Sequence, residues 1–212
     1  MQILAHRGYW NEYVLRNSSQ ALRIALEKGY GVESDVRDYK GKIVISHNIA
    51  NDSCQVAEEV FSWLREFGDE YCFAINIKAD GLKDILQDCL IKYDIKKYFL
   101  FDMSVPQMLE FRNMGLRYFT RQSEVEPAPC MYEDAAGVWI DGFWYTDWIT
   151  ESLVNKHLRA GKEVCLVSPD LHGREYRRFW QRVKSWDVDD RRLLYLCTDH
   201  PDEAREFWGD VK

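Results

Sequence analysis

Short apolar runs alternate with amphipathic stretches along nearly the whole chain, and this rhythm limits the fold more than any other feature. The runs fall at 2–5, 31–36, 42–46, 71–77, 98–101, 116–120, 136–140, 163–167 and 193–197. Between most of them lie helix-like segments: 18–28, 57–67, 82–91, 105–114, 152–160, 175–184 and 201–208. In 18–28, Ala21, Leu22, Ala25 and Leu26 share one face; in 57–67, Val60, Phe61, Leu64 and Phe67 do. Strands that alternate with helices of about 10–15 residues predict βαβ units and parallel pairing. Roughly eight such units fit, so a single-domain α/β chain folded as a TIM (β/α)8 barrel over residues 1–212 is expected. The length lies near the lower limit of about 200 residues for that fold. An open doubly wound sheet is the competing arrangement, usually with fewer strands. The segment 122–134, with Pro127 and Pro129, reads as a loop rather than a domain boundary.

Composition narrows the function classes. Hydrophobic residues make up 46% of the chain, too many for a disordered one, and 12 Gly and 5 Pro exclude a collagen-like repeat. The net charge of −7 gives no reason to expect nucleic acid as a partner, because phosphate neutralisation needs a basic face. No run approaches the roughly 18 apolar residues of a membrane span. The opening MQILAHRGYW reads as a first strand, not as a signal peptide. The six scattered cysteines read as buried free thiols, and the expected location is cytoplasmic. Oligomeric state leaves no trace in the sequence.

Polar residues gather where the apolar runs end: His6-Arg7, His47-Asn48, Asn76 and Lys78, Asp102, Asp141, and Thr198-Asp199. In a parallel barrel the C-terminal strand ends share the face where active sites lie, so residues distant in sequence would meet there. Glu33 and Asp35 are two apart, so on a strand their side chains share a face. Two carboxylates forced together repel unless a cation or proton separates them, and Mg²⁺ and Ca²⁺ prefer such oxygen donors. The alternative is that both face solvent or pair with Arg37, which would turn Val32, Ser34 and Val36 into the barrel interior. Asn76 can offer a metal its carbonyl oxygen. Lys78, two residues on, can hold a phosphoryl oxygen as a point charge, and Arg7 has the fork that suits phosphate. A lone His at a strand end is usually an ordinary hydrogen-bonded residue. Two of them, His6 and His47, make an acid–base pair feasible near neutral pH. His157, His172 and His200 read as structural or solvated. The stretch 138–148 is unusually aromatic; Trp139 and Trp144 are candidates for core packing or for a platform under a sugar ring, with the two readings in balance.

The ordered set AHRGYW, Asn17-Ser18, GVESDV, VISHN, INIK, FDMS and CTDHP resembles the glycerophosphodiester phosphodiesterases over His6 to Pro201. The resemblance implies a TIM barrel with His6 and His47 as catalytic histidines. It also implies Glu33 and Asp35 as metal ligands, Lys78 as the lysine of the third motif and Arg7 as a phosphate contact. Three departures stand out. Asn76 occupies the place of the family's third carboxylate ligand, and Asp141 is a candidate substitute from another strand. Asn48 stands where the family has Asp. The segment after His47 is short where the family carries an insertion, so a more open pocket is expected.

The expectation is therefore metal-dependent hydrolysis of a small-molecule phosphodiester, glycerophosphodiester-like or sugar-linked, as in lipid metabolism. One Mg²⁺ or Ca²⁺ would sit on Glu33, Asp35 and Asn76 or Asp141. Two alternatives stay open: a catalytically impaired phosphate- or glycan-binding protein on the same barrel, and a metal-independent phosphodiester lyase.

Overall fold

The computed structural model describes residues 1–209; the last three residues of the expected 1–212 domain lie outside them. The chain divides into two compact units: Arg7–Tyr118, and Met1–His6 together with the chain from Phe119 onward.

In the unit formed by Met1–His6 and the later chain, five strands run parallel. They are β1 (Gln2–His6), β7 (Phe119–Gln122), β8 (Gly137–Ile140), β9 (Glu163–Val167) and β10 (Leu194–Thr198), in the order β1-β10-β9-β8-β7. Val138, Ile140, Val164, Leu166, Leu194 and Leu196 alternate along their strands and pack on the helices. These are α5 (Glu151–Arg159), α6 (Arg177–Ser185) and α7 (Pro201–Trp208), which contribute Val154, Phe179, Trp180, Val183 and Ala204. The intervening Trp139, Cys165, Tyr195 and Cys197 are buried too. Burial on both faces is what makes such strands read as nearly continuous apolar runs.

In the unit Arg7–Tyr118, β2 (Gly31–Tyr39), β5 (Phe73–Ile77) and β6 (Tyr98–Phe101) pair in parallel in that order. The run at 42–46 does not continue this parallel series. It forms β3 (Lys42–Ile45), which turns back antiparallel on the end of β2, with a two-residue β4 (Gln55–Val56) beside it. Lys40 and Gly41, both at positive φ, make a turn too tight for a crossover helix. The parallel strands of the two units thus number eight, five and three, among the described residues.

Four helices complete the unit: α1 (Ser19–Glu27), α2 (Ala57–Leu64), α3 (Lys83–Lys92) and α4 (Val105–Asn113). The Ser18 hydroxyl accepts from Ala21 N–H and Ser104 from Gln107 N–H, so each satisfies an orphan donor at its helix start. Ala21, Leu22, Ala25 and Leu26 are the buried stripe of α1, as their spacing predicts.

Two expectations need correction. The strand expected at 116–120 begins at Phe119, because Gly115 at positive φ and Leu116 finish the turn out of α4, while Tyr118 makes only an isolated parallel bridge to Leu100. Gln122 accordingly belongs to β7 rather than to the loop. None of the six cysteines forms a disulfide, but Cys130 is exposed and Cys54 half-exposed, since both lie in turns outside the strands. No helix among the described residues is long and apolar enough to cross a membrane.

Candidate active site

Within Arg7–Tyr118, β2 and β5 lie side by side with Glu33 opposite Ala74 and Asp35 opposite Asn76. Parallel neighbours in register point the same way, so Glu33, Asp35 and Asn76 share one face. Glu33 and Asp35 are at most 1% exposed and Asn76 8%. Carboxylates at this depth need compensation, and it comes from Arg7 and Lys78 rather than from Arg37. Arg7 N–H donates to Glu33 Oε2 at 3.1 Å, and Arg7 Nε lies 3.1 Å from Asp35 Oδ2. Lys78 Nζ stands 3.5 Å from Asp35 Oδ1 and 3.0 Å from Asp102 Oδ2. Asn17 completes the cluster: its Nδ2–H donates to Asp35 Oδ2 at 2.8 Å, and its Oδ1 accepts from Ser34 Oγ–H at 2.9 Å.

Local backbone geometry explains why these side chains arrive together. Arg7, Asn17 and Asp102 all have positive φ (57°, 59° and 70°), a costly conformation for residues with a Cβ. Gly8 follows at φ +83°, and a Cβ there would stand 2.5 Å from the Ala21 carbonyl carbon. Tyr9 N–H donates to Ala21 O at 2.8 Å and Asn17 N–H to Arg7 O at 2.9 Å. The chain thus turns tightly over α1 and returns Asn17 to Arg7. Glycine is required because backbone passes backbone there.

The β2–β3 hairpin accounts for His47. Ser46 N–H donates to Asp35 O at 3.0 Å, so His47 is the next residue after a direct backbone contact with Asp35. The imidazole is exposed, with Nδ1 3.0 Å from Asn48 Oδ1.

The other unit holds a second polar group, at the C-terminal ends of its parallel strands. His6 Nδ1 lies 2.7 Å from Asp199 Oδ1, linking the ends of β1 and β10. Asp170, which follows β9, accepts from Thr198 Oγ1–H at 2.9 Å and Asp199 N–H at 2.6 Å through Oδ2. A carboxylate only accepts, so Nδ1 of His6 carries the hydrogen in this contact. Sequence reasoning gave Asp199, Asp170 and Asn17 no role. The signal for Asp199 was its place in CTDHP; Asp170 left no signal.

Asp141 ends β8 in this same unit. Its Oδ1 lies 2.7 Å from Nε2 of His172, which sits in a short 3-10 turn after β9. Trp139 is 6% exposed within β8, whereas Trp144 is 68% exposed in the loop that follows.

Divalent-cation binding can be tested against the donors present. Asp35 Oδ1 and Asn76 Oδ1 are buried acceptors with no hydrogen bond, on the same face as Glu33. Glu33, Asp35 and Asp102 carry one more charge than Arg7 and Lys78 offset. A divalent cation would leave this cluster with one positive charge, which suits a phosphodiester monoanion. The donor set of two carboxylates and an amide oxygen fits a hard cation, although no group of three or more His, Cys, Asp or Glu side chains forms a metal cluster among the described residues.

No protein-family model matches the sequence, and no curated protein matches it. Solved structures do. A candidate glycerophosphodiester phosphodiesterase from Galdieria sulphuraria superposes with a TM-score of 0.77 at 17% identity, covering 99% of this chain and 98% of that one. A glycerophosphodiester phosphodiesterase from Parabacteroides distasonis gives 0.74 at 16%, covering 98% and 96%. The fold is that of the glycerophosphodiester phosphodiesterases. It is α/β, of the TIM (β/α)8 class. A more distant match, a Ca²⁺-dependent phosphatidylinositol-specific phospholipase C from Streptomyces antibioticus, gives 0.59 at 11%, covering 98% and 95%.

Proposed function

We propose that this chain, acting as one domain over residues 1–212, hydrolyses a small-molecule phosphodiester with the help of one divalent cation, Mg²⁺ or Ca²⁺, in the cytoplasm. The observation that carries the reading is the buried cluster of Glu33, Asp35 and Asn76 on one face, flanked by Arg7 and Lys78. Opposed charges buried beside unsatisfied oxygens are costly to keep and suit a site that handles an anion through a cation. The likeness in fold, and the motif order from His6 to Pro201, support the choice of phosphodiester chemistry.

Glu33, Asp35 and Asn76 would hold the cation, whose chemistry is to offset charge on the phosphoryl oxygens as it redistributes. Asn76 is preferred to Asp141 as third ligand because its register puts it opposite Asp35. Arg7 and Lys78 bind and orient the phosphoryl group. One of His6 and His47 takes the proton from the attacking water or neighbouring substrate hydroxyl, and the other returns a proton to the leaving alkoxide. Asp199 keeps the His6 ring in one tautomer and orientation. Asn17 positions Asp35.

A second reading has a specific observation behind it. Arg7 and Lys78 already stand on Asp35, as in a metal-independent lyase in which protein cations neutralise the phosphoryl charge. Turnover of glycerophosphodiesters and of a p-nitrophenyl phosphodiester, before and after exhaustive chelation, separates the two. EDTA should abolish activity, and Mg²⁺, Ca²⁺ or Mn²⁺ should restore it. Full activity after chelation would favour the lyase. Absence of turnover with every metal and substrate would favour the binding protein.

A further inference from the structure

The short 3-10 turn Pro169–His172 after β9 is fastened on both sides. Ahead of it, Ser168 N–H donates to Cys197 O at 2.9 Å, and Ser168 Oγ accepts from Trp180 Nε1–H at 2.8 Å. Within it, Leu171 N–H donates to Ser168 O at 3.1 Å and Gly173 N–H to Asp170 O at 2.8 Å. Asp170 therefore projects from an ordered backbone. It is 8% exposed, and one oxygen carries all its side-chain hydrogen bonds. Oδ2 accepts from Thr198 Oγ1–H at 2.9 Å and from Asp199 N–H at 2.6 Å. The Thr198 hydroxyl in turn accepts from His200 N–H at 3.0 Å. A single carboxylate oxygen thus fixes three consecutive residues at the end of β10.

The other oxygen, Asp170 Oδ1, is buried and takes no hydrogen bond from the described residues. Burying a carboxylate with one idle oxygen is costly, and filling the space alone would favour an apolar side chain. The middle residue of the three explains the expense. Asp199 Oδ1 stands 2.7 Å from His6 Nδ1, and the two side chains are only 8% and 11% exposed. Asp199 has a short side chain, so holding its N–H sets where its carboxylate can reach. The plain alternative is that Asp170 only braces the entry to α7, which starts at Pro201. That role would give Asp170 an effect on stability but none on the His6 ring.

We propose that Asp170 is a positioning residue for His6. Its Oδ2 holds Asp199, and Asp199 keeps Nδ1 of the imidazole turned to its carboxylate. The inference rests on the phosphodiesterase reading in giving His6 a proton to move, but its first readout needs no turnover. The full chain, labelled with ¹⁵N-histidine, should show the His6 Nδ1–H proton as a downfield resonance that exchanges slowly with water. Asp170→Ala should lose that resonance to exchange. With a p-nitrophenyl phosphodiester, the same variant should lower kcat by about 10–100-fold and leave KM within about twofold. Asp170→Asn keeps an oxygen that accepts from both donors, so it should retain the resonance and keep kcat within about threefold. Circular dichroism verifies folding. Should Asp170→Ala not fold, Asp170→Ser takes its place, since a hydroxyl one bond shorter keeps the pocket polar but falls short of Asp199 N–H. An unchanged His6 resonance in folded Asp170→Ala or Asp170→Ser would overturn the proposal. So would its loss in folded Asp170→Asn, or failure of both the Ala and Ser variants to fold, which would make Asp170 a structural brace. Absence of turnover in the unsubstituted protein, with the resonance responding as stated, would overturn only the catalytic reading.

Discussion

A few side chains of the candidate site carry distinct jobs. His6→Ala and His47→Ala should each lower turnover by about 10²–10⁴-fold, the usual worth of general acid–base catalysis. Asp199→Asn should cost less than His6→Ala, because it leaves the imidazole in place and removes only what orients it. Melting temperatures should barely move for His47→Ala, whose side chain is exposed. Full activity in either histidine variant would remove that histidine from the mechanism. Asn76 allows a separate test. A neutral amide oxygen attracts a hard cation less than a carboxylate does, so Asn76→Asp should tighten Mg²⁺ binding by about tenfold in calorimetry, provided the shorter acid reaches. Asp141→Asn should leave metal affinity alone, since Asp141 is occupied with His172. The opposite pattern would move the third ligand to β8.

Among the elements, α5 carries the clearest pH dependence. His157 is 2% exposed on α5, between Tyr132 and Gln122. Gln122 Nε2–H donates to Pro127 O, which turns Oε1 toward His157 and fixes the ring as the neutral Nε2–H tautomer that accepts from the Tyr132 hydroxyl. Burial, assisted by the Lys156 charge, lowers its pKa from 6.5 to about 4. The unfolded chain therefore binds more protons between those values. Stability is full above about pH 6.5 and falls as pH drops toward 4, by up to about 3 kcal/mol in all. Thermal melts at pH 7 and pH 5 should show about 2 kcal/mol of that loss, and a His157→Gln variant should lack this share of it. Equal pH dependence in the two proteins would assign the loss elsewhere.

The elements also show what could be read in the sequence. The seven α-helices among the described residues match the helix-like segments of the sequence, α1 and α2 through apolar spacing and others through signals such as Ser104 before α4 and Gly161 after α5. Strand β3 was legible as a strand but not as antiparallel, because an apolar run four residues long carries no sign of its partner. The face shared by Glu33 and Asp35 followed from period-two spacing, and Asn76 joined it through pairing register. Asn17 was visible only as part of a motif, since its bridge between Ser34 and Asp35 depends on a left-handed turn. His172 looked ordinary because Asp141, its partner, lies 31 residues earlier. Contacts of that kind depend on topology, which spacing along the chain does not encode.

For the whole molecule, the net charge of −7 makes an anionic substrate a problem that local chemistry must solve. Arg7 and Lys78 supply part of the answer, and a cation held by Glu33, Asp35 and Asn76 would supply the rest. That is the central claim, and diffraction tests it most directly. Crystals grown with Ca²⁺ and inorganic phosphate should show the cation about 2.3–2.6 Å from oxygens of Glu33, Asp35 and Asn76, with Arg7 and Lys78 on the phosphate. Phosphate held by Arg7 and Lys78 with no cation on those three residues, at saturating Ca²⁺, would contradict it.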